Sequence, residues 1–75
     1  MKRYTLYYTS DKRDQKSNIG EYLHSYGNAS SVRTIKQYVN RVKREYANNN
    51  PRDFFYTDQN YDFPLAEENR VYLKN

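Results

Sequence analysis

Polar and apolar residues alternate near the start of the chain. Over residues 3–9 every second side chain falls on the same side of an extended backbone, and Tyr4, Leu6 and Tyr8 share one face. This alternation predicts a β-strand with that face toward the core. The polar residues 10–18 that follow have no regular period and are typical of a loop.

A longer helical pattern occupies residues 31–47. Apolar residues recur there at intervals of 3, 4, 3 and 4, which places them on one face of an α-helix. They are Val32, Ile35, Val39, Val42 and Tyr46. Ser30 or Ser31 can cap the start of this helix. The asparagine run before Pro51 predicts its end, because asparagine tolerates the left-handed conformation and the residue before a proline avoids the α region.

A second, shorter helix is predicted immediately before the long one. Its apolar face has the i, i+3, i+4, i+7 spacing and consists of Ile19, Tyr22, Leu23 and Tyr26. Asn18 can cap this helix with Glu21 completing a capping box, and Gly27 is placed for a left-handed stop. Since only residues 27–30 separate the two helices, they are expected to form a helical hairpin or a helix-turn-helix.

The C-terminal part of the chain predicts two further strands, at residues 53–58 and 70–74. The segment between them contains Pro64 and is long for a hairpin connection. The complete order of elements is therefore β-α-α-β-β. It predicts a single α+β domain over residues 1–75, with the helical hairpin packed on a short three-stranded antiparallel sheet.

The composition leaves little material for an aliphatic core. Leu, Ile, Val and Phe make up 13 of the 75 residues, below the share of roughly 20% that marks disorder in highly charged chains. Ten tyrosines change this interpretation, because each ring can bury much of its area while its hydroxyl stays hydrated or hydrogen-bonded. We expect a folded domain whose core is partly tyrosine, and a homodimer or another partner would add buried surface.

The composition also argues against several classes of protein. Without cysteine the chain has no disulfide, thiolate metal site or thiol nucleophile, and His24 alone cannot build a zinc site. The clustered groups that would support a tyrosine nucleophile are missing, so no enzyme, metal or cofactor is expected. The start of the chain lacks the apolar core of a signal peptide, and no run approaches the ~20 apolar residues that span a bilayer. We therefore expect a cytoplasmic protein without a membrane partner.

The charge of the chain favours polyanionic partners. The formal net charge is +4 and the pI is about 9.4, which is typical of proteins that bind nucleic acid. Steps of about 100° per residue put four of the five cations of the long helix on one flank, with no acid among them. This basic flank consists of Arg33, Lys36, Lys43 and Arg44. A charged face that only keeps the domain soluble is the competing interpretation and stays open.

In the functional interpretation, the long helix binds DNA as the second helix of a helix-turn-helix does. Its first turn would meet base edges and its later cations would meet phosphates. The predicted contacts are Ser31, Arg33, Thr34, Lys36, Asn40, Lys43 and Arg44. Residues 22–46 also resemble the helical hairpin in the DNA-binding domains of tyrosine recombinases, where a turn of small residues precedes a long basic helix. This resemblance assigns no residue a role.

The strands offer a second candidate surface. Tyr7 and Tyr72 are expected to point away from the helices, next to Arg3, Arg70 and Lys74. Aromatic rings beside cations can stack unpaired bases or anchor a protein interface. In the simpler alternative they pair across strands and only stabilise the sheet.

Two functions are therefore expected from the sequence. The first is a small, non-enzymatic DNA-binding regulatory protein that uses the basic second helix. The second is a protein-interaction module of the phage or plasmid type. It would inhibit or redirect a host nucleic-acid-handling or defence complex, either protein or ribonucleoprotein, through a surface rich in tyrosine and arginine.

Overall fold

An antiparallel β-sheet with a helix on one face forms the described part of the molecule. The computed structural model describes residues 3–10, 23–58 and 66–73. These residues form β1 (Tyr4–Thr9), β2 (Leu23–Ala29), α1 (Val32–Glu45), β3 (Arg52–Asp58) and β4 (Val71–Tyr72), with 3-10 turns at Ala47–Asn49 and Glu67–Asn69. The strands lie in the order β2-β1-β3-β4, and each neighbouring pair is antiparallel. The α+β class is as predicted.

The predicted helical hairpin is wrong. The described residues contain one α-helix, and Leu23–Ala29 form strand β2 where the end of a first helix was expected. Their order is β-β-α-β-β in place of β-α-α-β-β, and the sheet they form has four strands in place of three. Residues 18–22, which carried the predicted start of that helix, lie outside the described residues. The resemblance to the recombinase hairpin loses its basis as well.

Pairing with β1 explains why β2 is extended. The two strands form a backbone ladder that satisfies the peptide groups along their shared edge. The ladder contains a bulge, because Leu6 faces Gly27 whereas the next residue, Tyr7, faces Ser25. Tyr26 is the extra residue on β2. This insertion breaks the two-residue alternation, so the sequence of β2 lacks the usual pattern of a strand.

Gly27 lies within β2, where the Tyr38 ring of α1 packs against it, and it does not end a helix. Its φ is not positive, so the predicted left-handed stop is wrong. A β-carbon at Gly27 would lie 3.6 Å from Cε2 of Tyr38, which shows how closely that ring packs on β2. The Tyr38 ring also lies 5.3 Å from the ring of Tyr26, and its hydroxyl donates to the carbonyl of Asn28 at 3.2 Å. These contacts attach α1 to β2.

Helix α1 begins and ends close to the predicted positions. Ser31 caps it, since its Oγ accepts a hydrogen bond from the backbone N–H of Thr34 at 3.3 Å. The buried residues of α1 are Ile35, Val39 and Val42. Tyr46, the expected last member of the apolar face, follows the helix and is 41% exposed. Asn50 has a φ of 51°, the left-handed conformation predicted for the asparagine run.

The main core lies between α1 and the sheet. The helix packs chiefly on β1 and β2. The buried residues that the sheet contributes to this core are Leu6, Tyr8, Ala29 and Phe54. Several half-buried tyrosines pack against them, namely Tyr4, Tyr26, Tyr38 and Tyr56. The prediction of a core built partly from tyrosine is confirmed.

The opposite face of the sheet is covered at its centre. Phe55 is only 1% exposed and lies between Tyr7 and Tyr72, with 5.3 Å between ring centroids on each side. The guanidinium carbon of Arg70 lies 4.6 Å above the Phe55 ring, and Nη1 of Arg70 donates to the Tyr72 hydroxyl at 3.3 Å. This row of rings is cross-strand aromatic pairing, and the cation over it adds to its stability.

Thr57, also on this face, has a buried hydroxyl without a hydrogen bond from the described residues. Its side chain is fully buried, and Oγ1 has no hydrogen-bond partner among the described residues. Because an unpaired buried hydroxyl costs about 1–3 kcal/mol, Thr57→Val should raise the free energy of unfolding by about 1 kcal/mol. Urea denaturation followed by circular dichroism measures this change. The control is Thr5→Val, which removes a hydroxyl that donates to Asn28 at 2.8 Å and should lower stability. A destabilised Thr57→Val protein would contradict the prediction.

Candidate functional site

A groove runs along one side of α1. The helix packs chiefly on β1 and β2. On the same face of the sheet, β3 and β4 therefore lie beside the helix and not under it. The space between these elements measures about 560 Å³. We call it the α1–β4 groove. Its lining residues are Val32, Lys36, Val39, Asn40 and Lys43 from the helix, and Tyr56, Val71, Tyr72 and Leu73 from the sheet side.

The floor of the α1–β4 groove is apolar and partly open to solvent. Tyr56 and Val71 are register partners on β3 and β4. Tyr56 and Leu73 pack against the main core, whereas Val71 is 47% and Tyr72 is 52% exposed. Because side chains alternate along a strand and the Tyr72 ring packs against Phe55 on the other face, the exposed area of Val71 belongs to the floor, whereas Tyr72 lies at the rim of the groove.

The helix wall of the groove is basic. Lys36 and Lys43 lie two helical turns apart, about 10 Å along the axis, with Asn40 between them. All three side chains are exposed. Nζ of Lys43 lies 5.7 Å from the ring centroid of the buried Phe54, so its alkyl chain covers the edge of the core while its charge stays near the surface.

The other two members of the basic flank, Arg33 and Arg44, extend it beyond the groove. Both are exposed, and they lie about 16 Å apart along the helix axis. In the part of the chain that the structure describes, no carboxylate pairs with a cation of the basic flank. Glu45, the acid of α1, falls on the other flank by helical periodicity. The four charges therefore stay at the surface on one side of α1.

Ser31 and Thr34 serve the start of the helix. Besides the capping bond, Oγ of Ser31 lies 3.0 Å from Oγ1 of Thr34, so the two hydroxyls are hydrogen-bonded to each other. Their predicted contact with base edges depended on a helix-turn-helix, whose first helix is replaced by β2. They do not line the α1–β4 groove.

Most side chains of the second candidate surface pack against Phe55 and so help to stabilise the sheet. Tyr7 stacks on Phe55 with 19° between the ring planes, and Arg70 lies over the same ring. Arg3 is exposed, whereas Lys74 lies outside the described residues. Tyr72 is shared between this surface and the rim of the groove, and it keeps about half of its area open to a partner.

Tyr56 and Leu73 are site residues that sequence reasoning missed. The alternation over residues 70–74 places Val71 and Leu73 on the helix side of the sheet, which was the available signal. The alternation alone does not reveal the groove. The groove depends on the position of β4, which lies next to β3 at the sheet edge and beside the exposed flank of α1.

No protein-family model, curated protein or solved structure shows significant similarity to this chain. Among the described residues, no cluster of three or more His, Cys, Asp or Glu side chains could hold a metal ion. Nor does any helix in those ranges combine the length and apolarity needed to cross a membrane. The chemistry of the site must therefore be inferred from its cationic wall, its amide and its apolar floor.

Proposed function

We propose that the chain is a small, non-enzymatic nucleic-acid-binding protein that acts in the cytoplasm, with DNA as the favoured ligand. The observation that supports this function is the basic flank, four exposed cations on one side of α1 that pair with no described carboxylate. Such an array binds a phosphate backbone because each contact releases condensed counterions. The proposed role is regulatory, since occupancy of the nucleic acid and not catalysis would produce the effect.

The proposed binding mode differs from that of a helix-turn-helix. The apolar face of α1 is buried against the sheet, so the helix presents its basic flank sideways and would meet phosphates first. Contacts from Lys36 and Lys43 would draw the ligand toward the α1–β4 groove, and Asn40 between them could hydrogen-bond a base or a sugar. Base contacts would then add to an affinity that is mainly electrostatic.

A protein-interaction function is the second candidate, and the exposed Val71 and Tyr72 at the groove favour it. Tyrosine and arginine are preferred anchors of protein interfaces. In this alternative the chain would be a phage- or plasmid-type module that inhibits or redirects a host nucleic-acid-handling or defence complex. A second copy of the chain is another partner that could cover the same residues as a homodimer.

The salt dependence of binding tests the nucleic-acid function. If the four cations of the basic flank each contact a phosphate, affinity for an oligonucleotide should fall about 50- to 150-fold between about 50 and 200 mM salt. Fluorescence anisotropy of a labelled oligonucleotide measures this change. Affinity that is flat with salt, or no binding at about 50 mM salt, would contradict the proposal. Capture of one host complex that survives nuclease treatment would then favour the second candidate.

A further inference from the structure

We propose that the α1–β4 groove binds unpaired bases, so that the ligand is single-stranded nucleic acid. This inference rests on the proposed function and specifies its ligand. Lys36 and Lys43 on the helix wall would contact phosphates, while Tyr56 and Val71 on the floor would contact the face of a base. Cations and an apolar surface therefore meet in one groove, and a nucleotide combines the same two properties.

The shape of the site favours a single strand over a duplex. A duplex presents phosphates and base edges to a protein, and its base faces are stacked inside. An apolar floor gains nothing from phosphates, which it would desolvate, whereas an unpaired base can lay its face on an aromatic ring. The groove volume of about 560 Å³ lies within the range of sites that hold small organic ligands. The groove can therefore admit a base that has left its stack.

Tyr56 is the residue placed to stack the base. Its ring stands edge-to-face against Tyr4, with 5.3 Å between centroids and 86° between planes, which holds its orientation. It lines the groove beside Val71, its register partner on the edge strand. Asn40 lies on the facing wall and carries both a donor and an acceptor for a base edge.

Anisotropy titrations with three ligands of equal length test the inference. The ligands are a thymidine oligonucleotide, its fully paired duplex, and an abasic oligomer that keeps the phosphates but lacks the bases. For each base stacked in the groove, the thymidine strand should bind about 5- to 100-fold more tightly than the abasic strand. It should also bind more tightly than the duplex at the same salt concentration.

Two variants assign this preference to the groove. Tyr56→Ala should reduce the affinity for the thymidine strand to that for the abasic strand. Because Tyr56 also packs against the core, Val71→Asp at a half-exposed position is the second variant, and it should cause a loss of at least tenfold. Tyr46→Ala, which removes an exposed tyrosine outside the groove lining, should leave all three affinities unchanged.

The outcomes separate this inference from the proposed function. Equal, salt-dependent binding of all three ligands would overturn the groove inference and leave the nucleic-acid function standing. Failure of every ligand to bind would overturn both. Tight binding of a Glu/Tyr peptide of matched charge, with the thymidine strand no better than the abasic one, would assign the groove to a protein partner and overturn the inference.

Discussion

We expect the protein to lose about a thousandfold or more in oligonucleotide affinity, at about 50 mM salt, when all four cations of the basic flank are replaced by glutamine. Counterion release from four phosphate contacts contributes a slope of about −3 in the logarithm of affinity against that of salt. Taking about 1 M salt as the reference at which counterion release contributes nothing, this slope raises the affinity by more than about three powers of ten at about 50 mM salt. The variant without the four charges loses this contribution. Glutamine keeps a long polar side chain but removes the charge.

The substitutions should leave the fold intact. All four side chains are exposed, and surface changes of this kind usually alter stability by less than about 0.5 kcal/mol each. Within residues 3–10, 23–58 and 66–73, the contact that could add to this cost is that of Lys43, whose ammonium lies 5.7 Å from the Phe54 ring centroid. The circular dichroism spectrum and the urea midpoint of the variant verify that it is folded.

A charge-matched control separates the basic flank from net charge. Each set of four substitutions changes the formal net charge from +4 to 4 − 4 = 0. The control set replaces Arg3, Arg41, Arg52 and Lys74 by glutamine. It should retain most of the affinity, because none of the four belongs to the basic flank. A greater loss in the control than in the flank variant would move the binding surface away from α1, toward the strand surface for which the sequence predicts Arg3 and Lys74.

The elements that the sequence predicts well are those with a local and uninterrupted pattern. The apolar spacing of Val32, Ile35, Val39 and Val42 needs no knowledge of the rest of the chain, and the structure buries three of these four residues and half-buries Val32. The strands β1 and β3 were likewise predicted from short segments, and both are present. In these segments propensity, period and burial all favour the same structure.

Strand β2 could not be predicted because its structure depends on distant residues. Tyr22, Leu23 and Tyr26 have helical spacing, and Gly27 follows where a helix would end. The bulge at Tyr26 is a property of the pairing with β1 and leaves no two-residue period to detect. Tertiary pairing therefore determined the structure of a segment whose local pattern favoured a helix.

The candidate site was likewise predictable only where its pattern is local to one element. The basic flank follows from helical geometry alone, and the structure leaves all four of its cations at the surface. The α1–β4 groove needs the strand order, because only the position of β4 at the sheet edge brings Val71 and Leu73 beside Lys36 and Lys43. Helical periodicity therefore predicted the basic wall of the groove, whereas its apolar floor depends on the strand order.

The second large effect is expected at the centre of the fold. Phe54→Ala should lower the free energy of unfolding by about 3–5 kcal/mol, through lost burial and the cavity left behind. Phe54 is 1% exposed on β3, and its ring lies 5.7 Å from that of Tyr8. At 0.05–0.15 kcal/mol per residue, a domain of this size has a total stability of only about 4–11 kcal/mol. The substitution would therefore remove a large part of it.

Urea denaturation followed by circular dichroism measures this loss, with Tyr46→Ala as the control at an exposed aromatic position. The control should stay within about 0.5 kcal/mol of the wild type. Phe54 and Phe55 are consecutive and both almost fully buried, so they cover opposite faces of β3. Phe55→Ala should thus be costly too, because it removes the ring between Tyr7 and Tyr72. If Phe54→Ala lowered the free energy of unfolding by less than about 1 kcal/mol, Ile35, Val39 and Val42 of α1 would have to pack on other residues of the sheet. The position of α1 that leaves the groove open would then be wrong.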